Sequence, residues 1–158
     1  MTVQAESTSV RKDIVVKASP ERAFTVFTEQ MGTWWPAEHH VLRGDGIEML
    51  IEPSEGGRMY DVNAAGEECT WGRVLTWEPP HTFAFHWLIG PDFSIPEPDA
   101  PASRITVTFT PVEDGRTRVE LVHDQLDQHG EGWQRLRDAV GEEDGWALTL
   151  RRFAAVLD

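Results

Sequence analysis

Apolar and polar residues alternate through most of this chain, and helical spacing takes over only after the first strand and again near the end. Val10, Ile14 and Val16 share one face of a strand running from Val10 to about Ala18, with Lys12 interrupting that face. Ser19 and Pro20 then supply an N-cap and a proline at the first helical position. Arg22 stands where a capping box would place Glu, so the box is incomplete. Ala23, Phe24, Phe27 and Met31 recur near helical spacing, which predicts a helix to about Gln30, broken by Gly32. Strands are predicted over Gly46–Glu52 and Arg58–Ala64, joined by the turn-rich Pro53-Ser54-Glu55-Gly56-Gly57. In the next strand, Glu68–Trp77, the residues Cys69, Trp71, Arg73, Leu75 and Trp77 share one parity, and Gly72 and Val74 the other. Pro79-Pro80 ends it. Thr82–Leu88 follows, with Phe83, Phe85 and Trp87 on one face and Ala84, His86 and Leu88 on the other.

Gly90 to Pro101 is proline-rich and reads as an exposed loop. Ile105, Val107 and Phe109 then alternate with threonines, and Val119 and Leu121 line the partner strand beyond the Glu113-Asp114-Gly115 turn. A short helix is predicted around Trp133 and Leu136. Trp146, Leu150, Phe153 and Leu157 mark the buried stripe of a final helix. Successive strands joined by short turns predict an α+β fold with a curled antiparallel sheet of about six to seven strands. The C-terminal helix is the natural cover for its concave face, and such an arrangement can enclose a cavity for a small apolar molecule. The first nine residues, Met1 to Ser9, read as a flexible start, and 10–158 as one domain.

Composition sharpens this picture in two places. Seven tryptophans stand against one tyrosine, and each indole brings large apolar area plus one N–H that wants a partner. The formal net charge is -13. A field that negative repels phosphate backbones and anionic bilayers, so neither nucleic acid nor a membrane is expected as partner. Cys69 is the single cysteine and has no intrachain partner for a disulfide. No hydrophobic signal core precedes Val10, and no run of apolar residues is long enough to span a bilayer, so the cytoplasm is the expected compartment.

The densest candidate chemistry is Trp34-Trp35-Pro36-Ala37-Glu38-His39-His40. The two indoles either line a cavity mouth or plug the end of the sheet. Met59, Trp71, Phe85, Trp87, Trp146, Leu150 and Phe153 either face the cavity or pack as ordinary core. Arg73, which shares parity with Trp71, either anchors a polar ligand group or forms a salt bridge to Glu48, Glu52 or Glu68. His86 faces away from Phe85 and Trp87; if its face is the concave one, it could bind ligand or act as a general base. Asp61 is a second candidate base. His39, His40 and Glu38 have metal-ligand chemistry, but with Cys69, His86 and His123 they show no recognisable ligand spacing, and no metal or other cofactor is expected. His81 and His129 lie beside turns and are expected in solvent; His123-Asp124 reads as strand-end capping. No nucleophile elbow or phosphate loop is present.

Taken in order, Ser19-Pro20-Glu21-Arg22-Ala23-Phe24, Trp34-Trp35-Pro36, Ile51-Glu52-Pro53 with Gly56-Gly57-Arg58, Trp71-Gly72-Arg73-Val74-Leu75 with Trp77 and Pro79-Pro80, and Gly145-Trp146 resemble the START-like, or SRPBCC, superfamily with its helix-grip fold. Within it the chain resembles bacterial proteins related to the activator of the ninety-kilodalton heat-shock protein's ATPase. The resemblance implies a hydrophobic cavity under the C-terminal helix. It does not imply one activity, because members include lipid, hormone and polyketide binders as well as cyclases and oxygenase subunits. The expectation is a protein that binds a small hydrophobic or amphipathic molecule. The alternatives are a cavity enzyme of cyclase or hydrolase type using His86 or Asp61, and a co-chaperone-like interaction protein. A chaperone partner is not expected, since the second domain that helps grip the chaperone in the eukaryotic activator has no counterpart in these 158 residues. A homodimer stays open.

Overall fold

The computed structural model describes residues 8–35, 42, 44–90 and 102–157. Pro36, Glu38, His39, His40 and the proline-rich stretch 91–101 lie outside the described residues. Strand β1 covers Val10–Val16, and helix α1 covers Pro20–Thr28. The Ser19 hydroxyl accepts a hydrogen bond from the Arg22 N–H at 3.2 Å, so the cap predicted from sequence forms without its second half. A single helical turn, Met31–Thr33, carries the chain to the paired tryptophans.

Strands β2 (Glu48–Ile51), β3 (Arg58–Val62), β4 (Glu68–Glu78), β5 (Thr82–Trp87), β6 (Ser103–Pro111) and β7 (Thr117–Asp124) follow. They form, with β1, a seven-stranded sheet in the order β1-β7-β6-β5-β4-β3-β2, antiparallel throughout. Each strand from β2 to β7 lies beside its sequence neighbour, and β1 closes the far edge against β7. Helix α2 covers Trp133–Gly141 and helix α3 Leu148–Leu157, with a kinked turn over Glu143–Ala147 between them whose backbone leaves helical geometry at Gly145.

One face of the sheet is dry. Phe83 and Phe85 of β5, Ile105, Val107 and Phe109 of β6, and Val119 and Leu121 of β7 are all buried. Helix α1 covers them: Phe24 stands 5.3 Å from Phe109, and Phe27 6.3 Å from Phe83, centroid to centroid. Helix α3 completes the cover through Phe153, 5.2 Å from Phe27. Trp146, Leu150, Phe153 and Leu157 are buried as the helical spacing predicts.

The parity predicted for β4 does not hold, and two bulges explain why. Between Met59↔Gly72 and Tyr60↔Thr70 the register skips Trp71; between Val74↔Phe85 and Thr76↔Ala84 it skips Leu75. An extra residue resets the alternation that follows it. Trp71, Val74 and Trp77 therefore share the core side, while Arg73 is directed to the opposite face. No described helix is long and apolar enough to cross a membrane.

Candidate functional site

Four indoles meet at the end of the sheet covered by the C-terminal segment. Trp71 comes from the first β4 bulge, Trp87 from the end of β5, Trp146 from the turn before α3, and Trp35 from the residues after the single helical turn. All four are buried. Trp35 lies 5.3 Å from Trp71, 6.2 Å from Trp87 and 5.9 Å from Trp146, centroid to centroid. Trp87 lies 5.8 Å from Trp71 and 5.6 Å from Trp146, both steeply inclined. Phe85 meets the Trp71 ring edge-on at 6.0 Å. Such edge contacts are worth about 0.5–1.5 kcal/mol each beyond the area they bury.

Trp34 turns the other way. Its ring packs 4.9 Å from Phe27 and 5.3 Å from Phe153, and its N–H donates to the Val26 carbonyl at 2.9 Å. The adjacent tryptophans thus serve two clusters, one under the helices and one at the sheet end. Met59 and Leu150 are buried in the same core. Met59 lies across from Gly72, where an added Cβ would stand 3.1 Å from the Met59 sulfur. The glycine is what leaves room for the thioether.

Arg73 and His86 are not brought to this cluster. They pair with each other across β4 and β5 on the opposite face of the sheet. The concave face is the one carrying Phe83, Phe85 and Trp87, because that is the face the helices cover, so His86 is on the wrong side to meet a molecule held there. Its Nδ1 is 3.4 Å from the Ser103 carbonyl. Arg73 donates to the Gly56 carbonyl at 3.2 Å, and it is Arg58 that reaches Glu52 and Glu68, at 3.4 and 3.2 Å.

Asp61 is buried, and its Oδ1 accepts the Trp71 indole N–H at 3.1 Å. Cys69, opposite Asp61 in the register, is half-buried; burial, and then the Asp61 charge, push its thiol pKa up, which makes it a poor thiolate. Among the described residues, no three His, Cys, Asp or Glu side chains converge as metal ligands.

The principal polar feature escapes a sequence reading. His123 is fully buried, not a capping residue, and His129 is half-buried, not solvated. Trp146 Nε1–H points at His123 Nδ1, 3.1 Å away; His123 Nε2 is 2.7 Å from Ser103 Oγ; Ser103 Oγ is 2.7 Å from His129 Nε2. The Ser103 backbone N–H also donates to His129 Nε2, at 3.1 Å. An indole N–H and a backbone N–H can only donate. They fix His123 Nδ1 and His129 Nε2 as acceptors. His123 therefore carries its proton on Nε2 and donates to Ser103, whose hydroxyl donates onward to His129. The chain runs in one direction, and both imidazoles are neutral. Burial, with the nearby His129 as a lesser cause, lowers the His123 pKa to about 3; burial lowers that of His129 as well. A signal for His123 was present, since it continues the inward alternation of Val119 and Leu121, as Ser103 continues that of Ile105 and Val107. Asp124, the neighbour of His123, faces outward and takes Arg104 in a two-pronged ion pair at 2.8 and 3.1 Å.

An antiparallel sheet curled around a C-terminal helix, with α1 packed beside that helix, is the helix-grip architecture of the START-like superfamily. The family model described as "Activator of Hsp90 ATPase homolog 1-like protein" matches residues 17–158, and the chain belongs to that family. Among solved structures, it is similar to an anthrahydroquino-γ-pyrone synthase, Txn09, at 42% identity over 96% of this chain and 97% of that one, with a TM-score of 0.64. It is similar also to CalC, a self-sacrificing resistance protein from Micromonospora echinospora, at 29% identity over 96% and 95% of the two chains, with a TM-score of 0.67. The Aha1 dimer from Colwellia psychrerythraea shares the fold at 16% identity over 94% and 95% of the two chains, with a TM-score of 0.62. No curated protein matches the sequence.

Proposed function

We propose that this protein binds a flat, hydrophobic small molecule between the sheet and the C-terminal helix, at the cluster of Trp35, Trp71, Trp87 and Trp146. The observation that carries this reading is the cluster itself, four buried indoles joined by tilted and edge-on ring contacts beside the buried Asp61 and His123. Their centroid spacings of 5.3 to 6.2 Å are those of touching rings, so a guest is accommodated by turning an indole aside. Only an aromatic guest restores the ring contacts given up in doing so. Burial then supplies affinity at about 25 cal/mol per Å² of apolar area. The similarity to a synthase of a polycyclic aromatic product supports the same ligand class.

A second reading, a cyclase, is favoured by that relative's being a synthase and by the carboxylate of Asp61 beside Trp71. Holding a flexible substrate in one conformation would do most of the work of ring closure, and Asp61 is better placed than His86 to move a proton.

Native mass spectrometry of the protein purified from its own host is expected to show a bound small molecule that organic solvent releases. Titration with fluorene is expected to quench the tryptophan fluorescence saturably. Absence of both a bound mass and quenching overturns the binding reading.

A further inference from the structure

The indole N–H groups of this region are not equally satisfied. Trp34 donates to Val26, Trp71 to Asp61 and Trp146 to His123. Trp87 Nε1 is fully enclosed and has no hydrogen-bond partner among the described residues, on a residue only 7% exposed. The walls around it are aromatic. Trp71, Trp146 and His123 stand at 5.8, 5.6 and 5.7 Å from its ring, and Trp35 at 6.2 Å. Its neighbours in register are Gly72, which has no side chain, and Ser103, whose hydroxyl already has two partners in the histidine chain. Nδ1 of His123 is taken by Trp146. A buried donor without an acceptor is disfavoured, and native proteins keep few of them.

We infer that Trp87 Nε1–H is the recognition donor of the site, and that the guest is an aromatic molecule presenting an uncharged oxygen acceptor, a ring carbonyl or phenolic oxygen, to it. The inference rests on the binding reading above and adds its selectivity. An indole only donates, so the position accepts a carbonyl or ether-like oxygen and rejects an ammonium or amide N–H. Asp61 lies against Trp71 and makes an anionic guest unfavourable in the same enclosure. A pure hydrocarbon binds by its rings and leaves the donor as it is in the free protein; an acceptor-bearing guest gains the bond.

Fluorene and 9-fluorenone test this, because they share a tricyclic frame and differ by one carbonyl. Wild-type protein is expected to bind fluorenone about ten-fold more tightly than fluorene, the ratio a single buried hydrogen bond supplies. Trp87→Phe keeps a ring and removes the N–H. In it the ratio is expected to collapse to near one, because the smaller ring weakens both probes alike and only fluorenone also loses a hydrogen bond. A ratio unchanged in Trp87→Phe, or equal affinities in wild type, overturns the assignment. Should the variant not fold, the ¹⁵N spectrum of wild-type indoles decides: fluorenone is expected to move the Trp87 N–H resonance downfield and fluorene not to, and an equal response to both overturns it. Failure of wild type to bind either probe overturns the assignment, and together with the absence of a bound mass it overturns the binding reading itself, a result distinct from binding without discrimination.

Discussion

Acid should destabilise this protein through His123, by an amount that can be worked out. An unfolded histidine titrates near 6.5, and in the folded state burial lowers the value to about 3. Between those values the unfolded chain takes up a proton that the folded chain refuses. The contribution is therefore complete above about pH 6.5 and is lost as pH falls towards 3, at roughly 1.4 kcal/mol per unit. From pH 7.5 to 5.0 the expected loss is about 2 kcal/mol, large against a typical total of 5–15 kcal/mol. His129, lowered by burial, acts in the same direction. Urea unfolding followed by far-UV circular dichroism at the two pH values measures it, and at pH 5.0 the protein stays above its sequence pI of about 4.8. With a slope near 2 kcal/mol per molar urea, the wild-type midpoint should fall by about 1 M. The control is His123→Asn, whose amide oxygen can still accept from Trp146 but cannot titrate. Carboxylate titrations are common to both proteins and cancel in the comparison. If His123→Asn loses as much stability as wild type between the two pH values, the buried imidazole is not the acid-sensitive group and the reasoning fails.

Two further outcomes follow from the geometry. Gly145→Ala should lower the melting temperature by about 5–10 °C, because a Cβ there would fall on the Val140 carbonyl oxygen and force the turn carrying Trp146 to move; a calorimetric melt within a degree of wild type would show that the turn adapts freely. His86→Ala and Arg73→Ala should each leave fluorenone affinity within about two-fold of wild type, since both lie on the far face of the sheet; a ten-fold loss in either variant, read by fluorescence quenching, would return that residue to the binding site.

What the sequence displayed well was whatever simple periodicity controls. Ile105, Val107 and Phe109 alternate because β6 pairs regularly on both sides, and Leu150, Phe153 and Leu157 recur at helical spacing because α3 lies flat on the core. Where the register slips, alternation misleads. Arg73 shares sequence parity with Trp71 but not its face, because the bulge at Trp71 adds a residue that nothing in Thr70-Trp71-Gly72 announces. His86 posed a different difficulty. Its parity was plain, but the concave side of β5 is decided by α1 and α3, from the two ends of the chain. The histidine chain was hidden for the same reason. Ser103, His123, His129 and Trp146 come from four separate segments, and no spacing between them repeats any ligand or catalytic pattern.

The hydrogen-bonded indoles bear on why tryptophan is used here at all. A cluster meant only to fill volume is satisfied by phenylalanine or leucine, which carry no donor to accommodate. Each buried indole adds an N–H that costs about 1–3 kcal/mol if left without an acceptor. Three of these are met by groups on separate parts of the fold: the Val26 carbonyl in α1, Asp61 in β3 and His123 in β7. Those bonds set the rotation of each ring as well as its position, which packing alone does weakly. His123 is itself held by Ser103 and His129, so the orientation of Trp146 is fixed through a chain that ends at a half-buried imidazole. Protonating that last ring would put a donor where two donors already point. The same pH window that weakens the fold should therefore also loosen Trp146 against Trp87 and Trp35, and aromatic binding should weaken with stability as the medium is acidified.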